Sequence, residues 1–484
     1  MITFKYHNSN QCVIEGPELN LIRENFSVEN QAANFQRRLR SRFIKDRLYA
    51  ITPKGKMDIG LVGEIIKYCK QHKIDWSIED KTLNVFYPSL PAPQVNYDLK
   101  FTLRDYQQEI VTKCINAGRG TIVLATAGGK TLTMASLLEY YFHNVNKFFK
   151  GLIIVPDLGL VNQTHGDFND YEVNYTHSIW SGNNKLNNNT NIVIANMGIL
   201  QSVKSDTSWL GHIDILIVDE THKLRKDNKI NKIIKGIKTN NKFGFTGTLP
   251  DELMDKWNIF GKIGPQLYER KAYELREDNY VTPARVHIFQ LNYNTNHSEI
   301  YDKNLPVSFY LQEGDFIKKN TYRNVFISKI SMRLDNNVLI LIDYIEHGEI
   351  LLDYISRYCE HKKVFFIRGE VEIEERKKIQ ALMETDTDVV VIAISKIFST
   401  GINIKNLHYI IFANGGKAKI RIIQSIGRGL RLHKDKKQLI IFDIADNLIY
   451  GQRHVEQRKK LYESENIKYE QTEHFEKEKE GILR

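Results

Sequence analysis

Cysteine is scarce: Cys12, Cys69, Cys114 and Cys359 are the only four in 484 residues, and none lies within a few residues of another. That excludes zinc knuckles and a disulfide framework. Proline is also rare, at ten residues, and three of these (Pro88, Pro91, Pro93) fall in YPSLPAPQVNYD, which therefore breaks helix and reads as a linker. No long apolar run exists. The best, VLILIDYI, is interrupted by Asp343, and the opening MITFKYHNSN has no apolar core, so neither a membrane span nor a secretory leader is read and a cytoplasmic location is expected. Acidic excess is missing as well: the formal charge is +10, the balance expected of a protein that handles nucleic acid. With 42% hydrophobic and 26% charged residues the composition is ordinary for a soluble globular protein.

What is present is a repeated alternation. After an N-terminal module (1–97), the runs TIVLAT, GLIIVP, NIVIAN, IDILIVD and KFGFTG alternate with helical patterns, which indicates buried parallel strands in an α/β layer fold (98–280). The pattern recurs over 281–450 in VHIFQLNY, NVLILID, KVFFIRG, DVVVIAI, HYIIFA and QLIIFD, with REDNYVTPA as a hinge between the units. Residues 451–484 are mostly charged and read as a helix or a frayed tail.

LATAGGKT lies between a strand-like run and a helix with Leu132, Ala135, Leu138 and Tyr141 at helical spacing. In such a loop glycines turn backbone N–H groups toward phosphates, Lys130 neutralises their oxygens, and the Thr131 hydroxyl ligates Mg²⁺. Leu124 replaces the first glycine of the motif, so a structural turn remains the alternative. IDILIVDETH runs four apolar residues into Asp219 and Glu220, placing two acids at the carboxyl end of a buried strand: one to hold metal, one to polarise water. QSIGRGLR puts Gln424, Arg428 and Arg431 on one helix face, where arginine charge could meet a departing phosphate.

Together these residues resemble the superfamily-two helicases of the DExH type and, over nearly the full length, the phage UvsW helicases. The resemblance implies two tandem RecA-like parallel-sheet domains with a small α+β N-terminal DNA-binding domain, ATP and Mg²⁺ as cofactors, and ATP-driven DNA unwinding. LRDYQQE is similar to the adenine-reading segment (Arg104, Gln107), LATAGGKT to the phosphate loop (Thr126, Gly128, Gly129, Lys130, Thr131), and DETH to the metal and water motif. TGT (Thr246, Thr248) is similar to the coupling motif, with His222 implied to reach Gln424, and FSTGINIKNL (Gly401, Asn403) and QSIGRGLR to the later motifs. Thr246-Gly247-Thr248 stands where many relatives have Ser-Ala-Thr, and Asn403 where many have Asp.

A motor must move through any sequence, so its grips should be phosphate contacts. Candidates are Pro156 in VPDLGL, Ser399 and Thr400 in FSTG, and Lys417 and Lys419 in GGKAKIR, the last also readable as a solvated basic turn. In NFQRRLRSRFIKDRLYA a strand would put Arg38, Arg40 and Arg42 on one face, whereas a helix would align Phe35, Leu39 and Phe43. Resemblance implies that this module binds duplex or branched DNA. The partners implied are branched, duplex and single-stranded DNA, RNA–DNA hybrids and a single-strand-binding protein, with the chain a monomer in the infected host cytoplasm. Competing readings are the motor of a restriction system, an RNA helicase, and an ATP-gated clamp without turnover. A nuclease built on Asp58 and Glu79-x-Lys81 is a further one.

Overall fold

The computed structural model describes residues 1–30, 33, 45–86, 99–182, 184–202, 208–225, 228–358, 361–368, 373–395, 404–413, 426, 430, 433 and 436–476. Contacts group the chain into two compact units. The first is Met1–Ala125 with Gly129–Arg270; the second is Lys271–Arg484 with the loop tip Thr126–Gly128.

In the first unit the apolar runs become a seven-stranded sheet in the order Gln266–Arg270, Arg119–Leu124, Asn241–Thr246, Ile215–Asp219, Gly151–Val155, Ile192–Asn196, His177–Trp180. Every neighbouring pair is parallel. Arg119–Leu124, Gly151–Val155 and Ile215–Asp219 are buried at every residue, which is why they read as continuous rather than alternating apolar runs. The second unit repeats the plan in the order Lys363–Ile367, Val389–Ile394, Val338–Ile342, Tyr409–Phe412, Leu439–Asp446, Ala284–Asn292, Lys468–Phe475, again all parallel. The fold is α/β: two tandem RecA-like parallel-sheet domains and a small α+β module before them.

The charged end of the chain is more regular than its composition suggests. The helix Ile449–Ser464 buries Val455, Arg458, Leu461 and Tyr462, and the strand Lys468–Phe475 pairs with Arg285 to Asn292. As an edge strand it meets solvent along its free side, and charged residues there discourage pairing with another chain.

The N-terminal module is a four-stranded sheet in the order Lys56–Asp58, Gln11–Glu15, Ile2–Asn8, Trp76–Ile78, antiparallel except for its last pair. The helix Val62–Gln71 covers it, burying Val62, Ile65, Ile66 and Cys69, the stripe its spacing predicts. Arg38, Arg40 and Arg42 lie outside the described residues. Asp58 occupies the capping position of the turn Ile59–Leu61 but makes no side-chain cap bond; its carboxylate pairs with Lys262 instead. Glu79 accepts from the Tyr6 amide at 2.8 Å, and Lys81 Nζ lies 4.7 Å from the centre of the Tyr6 ring. Each member of the nuclease trio thus has a structural partner.

This module shares its core with the first sheet. Ile59, Leu61 and Val62 belong to one apolar cluster with Ile259, Phe260 and Ile263. At Gly60 the chains meet so closely that a Cβ would lie 2.0 Å from the Phe260 carbonyl oxygen. Phe260 is buried and the Trp257 ring sits 5.2 Å from that of Phe26, so both are core aromatics. Among the described residues no helix is long and apolar enough to cross a membrane.

Candidate nucleotide-hydrolysis site

Four adjacent strands of the first sheet end side by side. The register pairs Val123 with Thr246, Phe245 with Asp219, and Val218 with Ile154. The loop before Lys130, Thr246, Asp219 and Pro156 therefore share the carboxyl edge, where open parallel sheets bind ligands. Pro156 is followed by Asp157, which caps the helix Leu158–Tyr171 by accepting from the Leu160 amide at 3.0 Å.

Leu124 is fully buried as the last residue of its strand, so the position that holds glycine in the usual motif is core here. The loop bends after it, with Ala127 at φ +69° and Gly129 at φ +79°. A side chain at 129 would be doubly opposed: by that backbone conformation, and by Gln107 Nε2, 2.2 Å from where its Cβ would sit. Lys130 then opens the helix Lys130–Tyr140, whose N-terminal end favours an anion. Gln107 is buried, accepts from the Arg104 amide at 2.8 Å and donates to the Gly129 carbonyl at 3.4 Å, tying the LRDYQQE segment to the loop.

Asp219 is 6% exposed and accepts from the Glu220 amide at 2.9 Å. Burial first, and the neighbouring Glu220 charge second, raise its carboxyl pKa to about 6, with Lys130 opposing. Glu220 adopts the left-handed conformation, φ +52°, that turns it out of the strand line. Its carboxylate lies 3.8 Å from Lys130 Nζ and 3.1 Å from His222 Nδ1. His222 Nδ1 is also 2.9 Å from Thr246 Oγ1, and the Thr246 hydroxyl donates to the Thr248 carbonyl at 2.7 Å. A hydroxyl has one proton, so this network assigns the proton between His222 and Thr246 to Nδ1. The link from DETH to TGT is therefore a direct side-chain contact, which the sequence does not signal because the two segments are separated by a helix and a strand.

The arrangement combines a cation, two acids of which one is desolvated, and a helix N-terminus at a turn that glycine makes possible. These residues fit a nucleoside triphosphate with a divalent ion: the buried Asp219 and the Thr131 hydroxyl are hard oxygen donors, and the loop offers backbone amides for phosphate.

Two family models match the chain, "Type III restriction enzyme, res subunit" at residues 100–251 and "Helicase conserved C-terminal domain" at 320–433. The chain is 29% identical over 461 residues to "ATP-dependent DNA helicase uvsW" of Enterobacteria phage T4, spanning 88% of this chain and 86% of that one. The chain is an ATP-dependent helicase of superfamily two. It is also similar to "DNA 3'-5' translocase XPB2" of Sulfurisphaera tokodaii, 24% identical over 78% of this chain and 88% of that one. In fold the helicase resembles the solved "ATP-dependent Type ISP restriction-modification enzyme LlaBIII bound to DNA", with a TM-score of 0.57 at 15% identity over 84% of this chain and 34% of that one.

Of the sequence-predicted residues in this helicase, Arg104, Gln107, Thr126, Gly128, Gly129, Lys130, Thr131, Asp219, Glu220, His222, Thr246, Thr248 and Pro156 are described. Ser399, Thr400, Gly401, Asn403, Lys417, Lys419, Gln424, Arg428 and Arg431 lie outside the described residues, as does the expected contact of His222 with Gln424. Sequence reasoning missed Asn258, whose amide fixes the chain just behind His222. Nothing about WNIFGK, where Trp257 and Phe260 draw the eye, marks the asparagine between them.

Proposed function

We propose that this helicase is a DNA motor that remodels branched DNA by junction migration, fork regression and unwinding of D-loops or RNA–DNA hybrids. The likeness to a phage DNA helicase along most of both chains supports DNA as the substrate, and the +10 charge suits a polyanion. The hydrolytic reading is carried by one observation: Lys130 Nζ stands 3.8 Å from Glu220 beside the buried Asp219.

In this reading Arg104 and Gln107 hold the adenine end, and the Thr126–Gly129 backbone cradles the phosphates. Lys130 neutralises the β- and γ-oxygens. Thr131 and Asp219 hold Mg²⁺, which when bound would offset the charge that develops on the phosphates. Glu220 orients and polarises the attacking water. His222, bonded to Thr246, links that event to the Thr246–Thr248 turn. Arg428, Arg431 and Gln424 compensate charge at the γ-phosphate, and Gly401 and Asn403 complete the nucleotide contacts. Pro156, Ser399, Thr400, Lys417 and Lys419 grip the strand backbone, and Arg38, Arg40 and Arg42 hold duplex.

Steady-state ATP hydrolysis at fixed salt tests this, with no nucleic acid, single-stranded DNA, duplex, a four-way junction or single-stranded RNA added, and Lys130→Ala as the blank. The junction is expected to stimulate most. Stimulation by RNA alone, or no turnover above the blank with any polymer, would overturn the proposal.

A further inference from the structure

The helix Leu253–Lys262 touches three parts of the first unit. On one side Asn258 Nδ2 donates to the Leu224 carbonyl at 2.8 Å and to Asn231 Oδ1 at 3.2 Å, and Asn231 Nδ2 donates to the Arg225 carbonyl at 2.8 Å. Leu224 closes the turn Thr221–Lys223: its amide donates to the Thr221 carbonyl at 2.9 Å, and the Lys223 amide to the Glu220 carbonyl at 2.9 Å. One amide side chain thus fixes the backbone immediately behind Glu220 and His222. At its other end the helix meets the N-terminal module, through the Lys262 pair with Asp58 and the close approach of Gly60 to the Phe260 carbonyl. Its last carbonyls are held by Arg119, which donates to Lys262 and Ile263 at 3.2 and 2.8 Å. Arg119 begins the strand that leads into the Lys130 loop.

A half-buried amide among apolar neighbours costs free energy unless it is bonded, and the bonds of Asn258 all go to the segment after DETH. Close-packed helices shift as bodies rather than deform, so a displacement at Gly60 would reach Asn258. We propose that Asn258 is a positioning residue through which the N-terminal module, when it holds duplex DNA, sets the Glu220–His222 turn and raises the rate of hydrolysis. This rests on the reading of that module as DNA-binding.

Asn258→Asp tests it in the full chain, because it keeps size and packing while facing the Leu224 carbonyl with a carboxylate. With duplex DNA present, kcat is expected to fall about tenfold and the ratio of stimulated to unstimulated rate to drop toward one. KM for ATP should stay within about twofold, since the phosphate loop is untouched. Wild-type kcat and stimulation in this variant would overturn the proposal. Hydrogen exchange on the wild-type protein gives a second readout that needs no variant. Duplex DNA should change exchange in a peptide covering 220–225; protection of the module with no change there would also overturn the proposal. If DNA leaves the module unprotected, the DNA-binding reading of the module fails, and with it the proposed input.

Discussion

The two seven-stranded sheets share a plan and use interior charge differently. In the second unit Arg323 is fully buried and grips Asp446 with two nitrogens, at 2.8 and 3.2 Å, while a third bond goes to the Ala413 carbonyl. Arg458 does the same to Asp443, at 2.8 Å through both Nε and Nη2, with the Tyr462 hydroxyl adding a bond at 2.8 Å. In the first unit the opposite charges at the carboxyl edge meet more loosely: Lys130 stays 3.8 Å from Glu220, whose carboxylate also lies 3.1 Å from His222, and the neighbouring Asp219 is held by a backbone amide. Tight bidentate pairs tie helices to a sheet; an edge left loosely paired keeps its charges available for a ligand.

Breaking the tight pair has the largest expected effect. Arg323→Ala leaves Asp446 buried with the Tyr293 hydroxyl as its remaining side-chain donor among the described residues, and loss of one partner of a buried pair costs about 3–5 kcal/mol. The four tryptophans, Trp76, Trp180, Trp209 and Trp257, all lie in the first unit. Denaturant unfolding followed by tryptophan fluorescence should therefore be unchanged in midpoint, while the circular dichroism transition of the second unit moves to lower denaturant. Replacing both partners with apolar residues, Arg323→Met with Asp446→Leu, should recover most of the loss.

The loose edge predicts the opposite sign. The folded-state pKa of Asp219 is raised from 3.8 to about 6, so between those values the folded chain holds a proton that the unfolded chain has released. Stability contributed by this group is then present at low pH and is lost as pH rises through about 4 to 6. Asp219→Asn removes the charge, so in chelator at pH 7.5 the tryptophan-reported melting temperature should rise, on a scale of about 2–4 °C per kcal/mol. At pH 3.5 wild type and variant should melt together. ATP hydrolysis should be lost in the variant, and a fall in melting temperature at neutral pH would show that Asp219 holds the fold rather than the ligand.

The same contrast governs what could be read from sequence. The inner strands of both sheets were legible, because burial on both faces writes apolar runs such as Ile215–Val218 and Val338–Ile342. Three of the four edge strands, His177–Trp180, Gln266–Arg270 and Lys468–Phe475, were not, because they carry mixed residues, whereas the fourth, Lys363–Ile367, keeps the apolar run KVFFI. In the site, Lys130, Thr131, Asp219 and Glu220 follow from local strand-to-loop signals. The apolar stripe Val62, Ile65, Ile66 and Cys69 announced a core but not that it continues into the first sheet. The pairing of Asp58 with Lys262, 204 residues on, has no local trace, since which surfaces pack together depends on the whole fold.

An exposed pair gives the smallest effect and completes the comparison. Arg285 and Glu470 join the edge strand Lys468–Phe475 to Ala284–Asn292 at 2.7 Å, with side chains 50% and 47% exposed. Hydration already satisfies both charges, so Arg285→Ala should cost less than about 1 kcal/mol. The cost should shrink further at molar salt, where the screening length falls to about 3 Å. Measured by circular dichroism beside Arg323→Ala, this variant separates the effect of burial from that of the ion pair itself. If both substitutions moved the transition equally, chemistry rather than desolvation would set the strength of these pairs, and the contrast between the tight pairs and the loose catalytic edge would lose its physical basis.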